Sequence, residues 1–170
     1  KLELAKTFSL NTSDIDLTIY NIEHHRSHIA SSFFASGFHE SAILSIDGFG
    51  DFTSTMTAYG INNRINVLDQ ISYPHSLGIL YTAMTQFLGF PNYGDEYKVM
   101  GLAPYGNPIY FNQLEKMLIL DKDTFYLNDK YFSHFKNGVS MNWDNGIPFI
   151  DSLYTLHWID LFGHPRKRSQ

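Results

Sequence analysis

The sequence predicts an α/β fold, and three observations in its first third support that class. Residues 15–20 alternate apolar and polar side chains with β-branching, as a strand does, whereas residues 23–35 carry apolar side chains at helical spacing. Two further strand-like runs, residues 41–47 and 53–59, flank a glycine-rich turn at residues 48–51. A strand, a helix, a strand and a hairpin in that order predict a mixed sheet with helices on at least one face.

The remaining elements follow from helix boundaries and apolar spacing. Gly37 is placed to end the first helix, and Ser76 is placed to cap a later helix that ends at Gly89. Residues 92–98 are polar between two apolar stretches, which is typical of either a solvated loop or the rim of a binding site. The other predicted elements are a strand over residues 65–71, helices over 77–88, 108–120 and 150–162, and a short strand over 124–127.

Composition limits the classes of function. The 170 residues are the size of one domain, 44% of them are hydrophobic, and the net charge is −5. Nucleic-acid binding requires a basic surface, and the basic cluster of the sequence is confined to residues 166–168, so no nucleic-acid partner is expected. Thr82 and Gln86 interrupt the longest apolar run before it reaches the roughly 18 residues of a membrane span, so no membrane association is expected.

The absence of cysteine narrows the possible chemistry further. It excludes disulfide bonds and thiolate ligands, leaves histidine and carboxylate as the strong metal-binding side chains, and fits a cytoplasmic location. The chain lacks an initiator methionine and a signal peptide and ends on a charged segment. It is therefore expected to be a piece of a longer protein.

A histidine cluster is the first candidate site. His24 and His28 are four residues apart, so on a helix both imidazoles project from one face, whereas His25 lies roughly 100° around the helix and is expected to pack or to orient a neighbour. Asp47, at the end of an apolar run, is the best candidate for a third ligand. Two histidines and one carboxylate suit Fe, Mn or Zn. The alternative is a helix face whose histidines bind only backbone or solvent.

The glycine-rich turn is the second candidate site. Asp47 is followed by Gly48 and Gly50 and then by the hydroxyls of residues 53–55, a composition that can surround a phosphate with N–H groups and hydroxyls near a cation. The alternative is a hairpin that needs glycine for its backbone conformation.

Several segments recur in one known family. They are His24-His25-Arg26-Ser27-His28, Asp47-Gly48-Phe49-Gly50, Pro74-His75-Ser76-Leu77-Gly78, Leu88-Gly89-Phe90, Glu96-Tyr97-Lys98-Val99-Met100-Gly101-Leu102-Ala103-Pro104-Tyr105-Gly106 and Phe162-Gly163-His164-Pro165-Arg166. In order and spacing they resemble the NodU/CmcH family of O-carbamoyltransferases, over roughly residues 15 to 168. The eleven-residue segment 96–106 is the most specific of them.

The resemblance implies a fold and an activity. Such enzymes form a carbamoyl-adenylate from carbamoyl phosphate and ATP in a YrdC-like domain, and pass the carbamoyl group to a hydroxyl of a small molecule or sugar in a TsaD-like domain. The latter has the fold shared by actin, sugar kinases and heat-shock chaperones (ASKHA). Residues 1–170 would form a single incomplete segment of the TsaD-like domain, without the YrdC-like domain and inactive alone. Apolar surface left uncovered would favour homo-oligomers.

The resemblance also implies roles for individual residues. His24, His28 and Asp47 match the family's metal ligands, usually described as iron, and a fourth ligand, an aspartate, lies beyond this segment. The expected contacts of the carbamoyl-adenylate or nucleotide are Gly48, Gly50, Asp51, Thr53, Ser54, Glu96 and Lys98. His25 and His75 are the candidates for the base that deprotonates the acceptor hydroxyl. One departure is that nothing before Ile15 matches the family's first strand, which carries a histidine near the acceptor.

Three other functions fit parts of the pattern. A non-haem iron oxygenase uses two histidines and one carboxylate, but the glycine turn does not belong to such sites. An ASKHA kinase would transfer phosphate from ATP without carbamoyl phosphate. A non-catalytic binding or structural domain would bind neither metal nor nucleotide.

Overall fold

A three-stranded antiparallel sheet with one helix packed on it carries both candidate sites. The computed structural model describes residues 1–167. Its helices are α1 (Leu2–Phe8), α2 (His24–Ser36), α3 (Leu77–Phe87), α4 (Glu96–Leu102), α5 (Phe111–Leu114), α6 (His134–Asn137) and α7 (His157–Phe162). Its strands are β1 (Glu40–Gly50), β2 (Thr53–Ile61), β3 (Arg64–Ser72), β4 (Leu118–Asp121), β5 (Thr124–Leu127), β6 (Met141–Asp144) and β7 (Ile147–Ile150). The α/β class is thereby confirmed in its coarse form.

Helix α2 begins and ends as predicted because both of its caps are local. The Glu23 carboxylate accepts hydrogen bonds from the backbone N–H groups of His25 (3.1 Å) and Arg26 (2.9 Å). Gly37 ends the helix with a φ of 74°, a left-handed conformation that costs glycine little.

The sheet has the strand order β1-β2-β3, and α2 covers one of its faces. Ile29 and Phe33 of α2 pack on Ile43 of β1 and on Met56 and Ala58 of β2, all of them buried. This small core fixes the helix above the strands, and the first turn of α2 therefore lies beside the end of β1.

A second, larger core lies around α3. Ser76 caps this helix as predicted, because its Oγ accepts a hydrogen bond from the Ile79 N–H at 3.1 Å. Buried residues of this core include Ala83, Phe87 and Trp158, and the Trp158 indole N–H donates to the Tyr131 carbonyl at 2.7 Å. The N-terminus of α3 contacts β1, so this core supports the candidate sites from below.

The strand predicted over residues 15–20 is wrong. This segment has no regular secondary structure and pairs with no strand, and Ile19 and Tyr20 are 61% and 80% exposed. Alternation alone does not make a strand, because its N–H and C=O groups need a neighbour. The paired strands of residues 1–167 run antiparallel, so the sheet is antiparallel rather than mixed.

Two predicted helices are shorter than expected because hairpins compete with them. The segment 108–120 forms only the short α5 and then β4, which pairs with the correctly predicted strand β5. The segment 150–162 becomes helical only at His157. Its first residue belongs to β7, which the Asn145-Gly146 turn (φ 48° and 81°) joins to β6.

Three further expectations concern the surface. Within residues 1–167, none of the helices combines the length and apolarity needed to cross a bilayer. Large apolar side chains are exposed, Phe52 at 79% and Tyr105 at 87% among them, but self-association stays a prediction. Arg168 of the basic cluster lies outside the described residues.

Candidate metal centre

His24, His28 and Asp47 converge at the junction of α2 and β1. The Nε2 atom of His24 lies 3.0 Å from Asp47 Oδ2 and 2.9 Å from the Nε2 atom of His28. The Nε2 atom of His28 lies 3.7 Å from the same Asp47 oxygen. The three side chains are about half exposed, so a small molecule can reach them from solvent.

The donor set and the spacing fit a metal ion. A ring nitrogen offers one in-plane site, so His24 Nε2 cannot both accept a hydrogen bond from His28 and donate one to Asp47. A cation shared by three lone pairs resolves that conflict. Ligand atoms about 2.0 to 2.2 Å from one ion lie roughly 2.8 to 3.6 Å apart for right-angled or tetrahedral geometry, close to the observed separations.

His25 anchors the helix that carries the two outer histidines. Its side chain is fully buried, its Nδ1 lies 2.8 Å from Ser45 Oγ, and its Nε2 lies 3.0 Å from the Thr53 carbonyl oxygen. Because a carbonyl only accepts, Nε2 carries the proton and Nδ1 accepts from the Ser45 hydroxyl. His25 thus orients its neighbours, as the helical spacing predicts. Both ring nitrogens have partners within the chain, and its expected role as a catalytic base stays a prediction.

Asp47 presents one carboxylate oxygen to the histidines and uses the other to fix itself. Oδ1 accepts a hydrogen bond from the Gly48 N–H at 2.6 Å, while Oδ2 faces His24 and His28. Burial raises the pKa of Asp47, but the hydrogen bonds from His24 and Gly48 and the charges of both histidines outweigh it and lower the pKa below its usual value. The carboxylate is therefore held in its anionic, ligating form.

The two glycines lie in β1 rather than in the turn predicted over residues 48–51. The strand continues through Gly50, and Asp51 and Phe52 form the turn, with a φ of 54° at Asp51. A Cβ atom on Gly50 would lie 2.0 Å from His24 Cδ2, so only glycine leaves room for that imidazole. Asp51 Oδ2 accepts a hydrogen bond from the His24 N–H at 3.2 Å, which holds the first turn of α2.

The predicted phosphate-binding hydroxyls point into the protein. Ser54 is fully buried, and its hydroxyl lies 2.5 Å from the His75 carbonyl and 3.2 Å from the Ile71 carbonyl. Thr53 is 7% exposed. Both side chains are turned away from solvent, and the expected phosphate contacts of Thr53, Ser54, Gly48, Gly50 and Asp51 stay predictions.

Glu96 and Lys98 lie on α4, which contacts α3. Glu96 Oε1 accepts a hydrogen bond from Thr82 Oγ1 of α3 at 2.7 Å. The Lys98 ammonium lies 2.6 Å from Asp95 Oδ1 and 5.8 Å from the centre of the Phe90 ring. Both charged groups have partners within the chain, and their expected nucleotide contacts stay predictions.

His75, the second candidate base, is held by elements other than the metal centre. Its Nδ1 accepts a hydrogen bond from the Leu127 N–H at 3.1 Å, and its ring packs edge-on against Tyr126 and Phe135. Burial lowers the pKa of His75 below its usual value. These contacts place it against β5 and α6, and its role as a catalytic base stays a prediction.

The sequence indicates Ser76 as a helix cap and includes Ser76 and Gly78 in a family segment, but it assigns neither residue a contact with this centre. Ser76 Oγ lies 2.6 Å from the Gly48 carbonyl oxygen, and Gly78 contacts the Asp47–Gly48 backbone. Above the centre, Ile22, Ser27 and Ser31 line an open depression of about 500 Å³. A serine at the start of a helix indicates a cap. Nothing in the neighbouring sequence indicates that Ser76 and Gly78 also contact a strand.

One family model and several known proteins are similar to this chain over half of its length or more. A family model described as carbamoyltransferase N-terminus matches residues 1–156. An uncharacterized protein of Synechocystis sp. is 40% identical over 169 residues, which cover 98% of this chain and 25% of that protein. The nodulation protein NolNO of Sinorhizobium fredii is 48% identical over 87 residues (51% of this chain, 13% of that protein). The nodulation protein NolO of Bradyrhizobium diazoefficiens is 43% identical over 93 residues (55% and 17%).

Proposed function

This chain belongs to the carbamoyltransferase N-terminus family, and on that premise we propose that it is the metal-binding part of an O-carbamoyltransferase. The proposed reaction moves a carbamoyl group from a carbamoyl-adenylate, made from carbamoyl phosphate and ATP, to a hydroxyl of a small molecule or sugar. The chain spans 25% of the length of its Synechocystis relative, so the activity is proposed for the whole protein. The observation that carries the proposal is the convergence of His24, His28 and Asp47 within 4.8 Å of one another.

The proposed cofactor is a divalent metal, with iron preferred and zinc or manganese as alternatives. When bound, such an ion supplies Lewis acidity that offsets charge on the phosphate or carbonyl oxygens of a bound acyl donor. His24 and His28 would contribute neutral imidazoles to such an ion, and Asp47 would contribute an anionic carboxylate. All three hold the ion and leave its solvent side open to the substrate.

The substrate contacts are proposed around this centre. Gly48, with open space where a side chain would lie, is proposed to let a substrate approach the β1 backbone closely, whereas Gly50 makes room for the His24 imidazole. Asp51 lines the depression above the histidines. Glu96 and Lys98 are proposed to lie toward the nucleotide or the acceptor, on a helix that α3 connects to the same strand end. We further propose that the antiparallel sheet with α2 on it is part of one lobe of an ASKHA domain.

The proposal is tested in the full-length protein with carbamoyl phosphate, ATP and a panel of sugars and polyols, with carbamoylated product detected by mass spectrometry. His24→Ala and Asp47→Ala are each expected to lower product formation by at least about 100-fold without loss of cooperative unfolding, since the two side chains are half exposed. Ser31→Ala is the matched control, because Ser31 lines the same depression and its hydroxyl donates only to a backbone carbonyl.

Two results would contradict the proposal. Full activity in a well-folded His24→Ala, His28→Ala double variant would contradict the proposed dependence of activity on a bound metal. A product that gains phosphate from ATP in the absence of carbamoyl phosphate would assign the protein to the small-molecule kinases instead.

A further inference from the structure

We propose that Ser76 and Gly78, at the start of α3, are positioning residues that hold Asp47 within reach of His24 and His28. This inference rests on the metal centre proposed above. It concerns the backbone under Asp47, which the sheet itself leaves without support.

A bulge in β1 frees the residues around Asp47 from the strand ladder. Ile46 pairs with Thr55 and Gly50 pairs with Thr53, so residues 47–49 oppose Ser54 alone. Regular pairing ends one residue before Asp47. Another element must therefore fix the carboxylate-bearing segment.

Ser76 provides that support through its buried hydroxyl. Its Oγ lies 2.6 Å from the Gly48 carbonyl oxygen and 3.1 Å from the Asp47 carbonyl oxygen, and the residue is fully buried. The same oxygen accepts from the Ile79 N–H of α3. The hydroxyl donates to the nearer Gly48 carbonyl and lies close to the Asp47 carbonyl, so it connects the helix start to the bulged segment.

Gly78 brings the helix backbone into direct contact with the same peptide. A Cβ atom on Gly78 would lie 2.5 Å from Gly48 N, 2.6 Å from Gly48 Cα and 2.7 Å from the Asp47 carbonyl carbon. These are backbone atoms, so a side chain at this position would displace the segment that carries Asp47. The φ angle of Gly78 is not positive, so its backbone conformation does not require glycine. Close approach is the reason for glycine here.

The carboxylate moves with this peptide. Asp47 Oδ1 is bound to the Gly48 N–H at 2.6 Å, so a shift of the peptide is passed to Oδ2, which faces the histidines. The distances among His24 Nε2, His28 Nε2 and Asp47 Oδ2 then depend on the position of α3, although Ser76 and Gly78 contact the backbone of β1 rather than these imidazoles. Mutation of a residue that holds a metal ligand in place typically lowers metal affinity by about 10- to 100-fold.

The test compares Ser76→Ala with Thr85→Val in the full-length protein, using Zn²⁺ titration by calorimetry and the visible spectrum of the Co²⁺-loaded protein. Both variants remove a buried α3 hydroxyl, but the Thr85 hydroxyl donates only to the Tyr81 carbonyl within the helix. Ser76→Ala is expected to weaken Zn²⁺ binding by about 10-fold and to change the Co²⁺ ligand-field bands. Thr85→Val is expected to leave both unchanged while lowering the melting temperature to a similar extent.

A comparison of two glycine variants tests the same positioning role if Ser76→Ala does not fold. Gly78→Ala is expected to weaken Zn²⁺ binding by about 100-fold, because its Cβ meets the Asp47–Gly48 backbone. Gly101→Ala, in α4 with no atom within 4 Å of the new Cβ, is expected to bind as the wild type does.

The outcomes separate this inference from the proposed function. Wild-type affinity and spectrum in Ser76→Ala or in Gly78→Ala would overturn the positioning role while leaving the metal centre intact. Absence of Zn²⁺ binding by the wild-type protein would overturn the metal centre and the positioning role with it.

Discussion

Replacing Gly50 by alanine is expected to disable the proposed metal centre through one methyl group. The new Cβ would lie 2.0 Å from His24 Cδ2, 2.3 Å from Cγ and 2.7 Å from Cβ, whereas ordinary contact begins at 3.4 Å. The imidazole edge must therefore move by about 1.4 Å, and rotation alone does not relieve the contact with the His24 Cβ. That displacement exceeds the tolerance of the contacts at 3.0 and 2.9 Å that His24 makes with Asp47 and His28.

The expected result is a loss of metal affinity of at least about 100-fold, with a modest loss of stability of about 1 to 3 kcal/mol from overpacking. Calorimetric titration with Zn²⁺ measures the affinity, and urea unfolding of the metal-free protein measures the stability. Gly48→Ala is the matched control, since a Cβ there meets nothing within 4 Å. Unchanged Zn²⁺ affinity in a folded Gly50→Ala variant would refute the close approach of His24 to β1.

Two further predictions concern buried histidines. His25→Phe leaves Ser45 Oγ and the Thr53 carbonyl without their buried partner, so urea unfolding should show a loss of about 2 to 4 kcal/mol, and an unchanged midpoint would contradict the anchoring role. Burial lowers the pKa of His134, outweighing its hydrogen bond to the Pro74 carbonyl, so the folded state binds fewer protons than the unfolded state below about pH 6.5. The free energy of unfolding should therefore fall as the pH drops from about 6.5 toward 5. Urea unfolding across this range should show a weaker pH dependence in His134→Gln than in the wild type. An equal pH dependence in both proteins would contradict the role of His134.

The part of the fold that sequence predicts well is the part that local contacts determine. Helix α2 is capped by Glu23 and ended by Gly37, and both signals lie within the helix or next to it. Residues 15–20 have a strand pattern but no strand to pair with, and the helical spacing near residue 150 gives way to β7. Pairing partners are distant in sequence, so alternation and spacing cannot reveal them.

The candidate site divides in the same way. His24 and His28 lie on one face of a helix by spacing alone, and Asp47 follows from its position at the end of an apolar run. The orientation of the Ser54 hydroxyl depends on the carbonyl of His75, twenty-one residues away. The contact of Ser76 with the Gly48 carbonyl is likewise tertiary. Sequence therefore predicts which residues converge at the candidate site better than it predicts which residues hold them in place.

The mutual attraction of His24, His28 and Asp47 does not explain why they converge. Their side chains are 41%, 52% and 43% exposed, and ion pairs at such exposure contribute only about 0 to 1 kcal/mol. Their immediate supports are buried: His25 and Ser76 are both fully inaccessible to solvent and fix the two sides of the site to the sheet and to α3. The positions of the three side chains are thus determined by packing beneath them rather than by their attraction to one another. An arrangement of that kind is preorganised for a cation, because the chain meets the cost of bringing three lone pairs together on folding and not on binding.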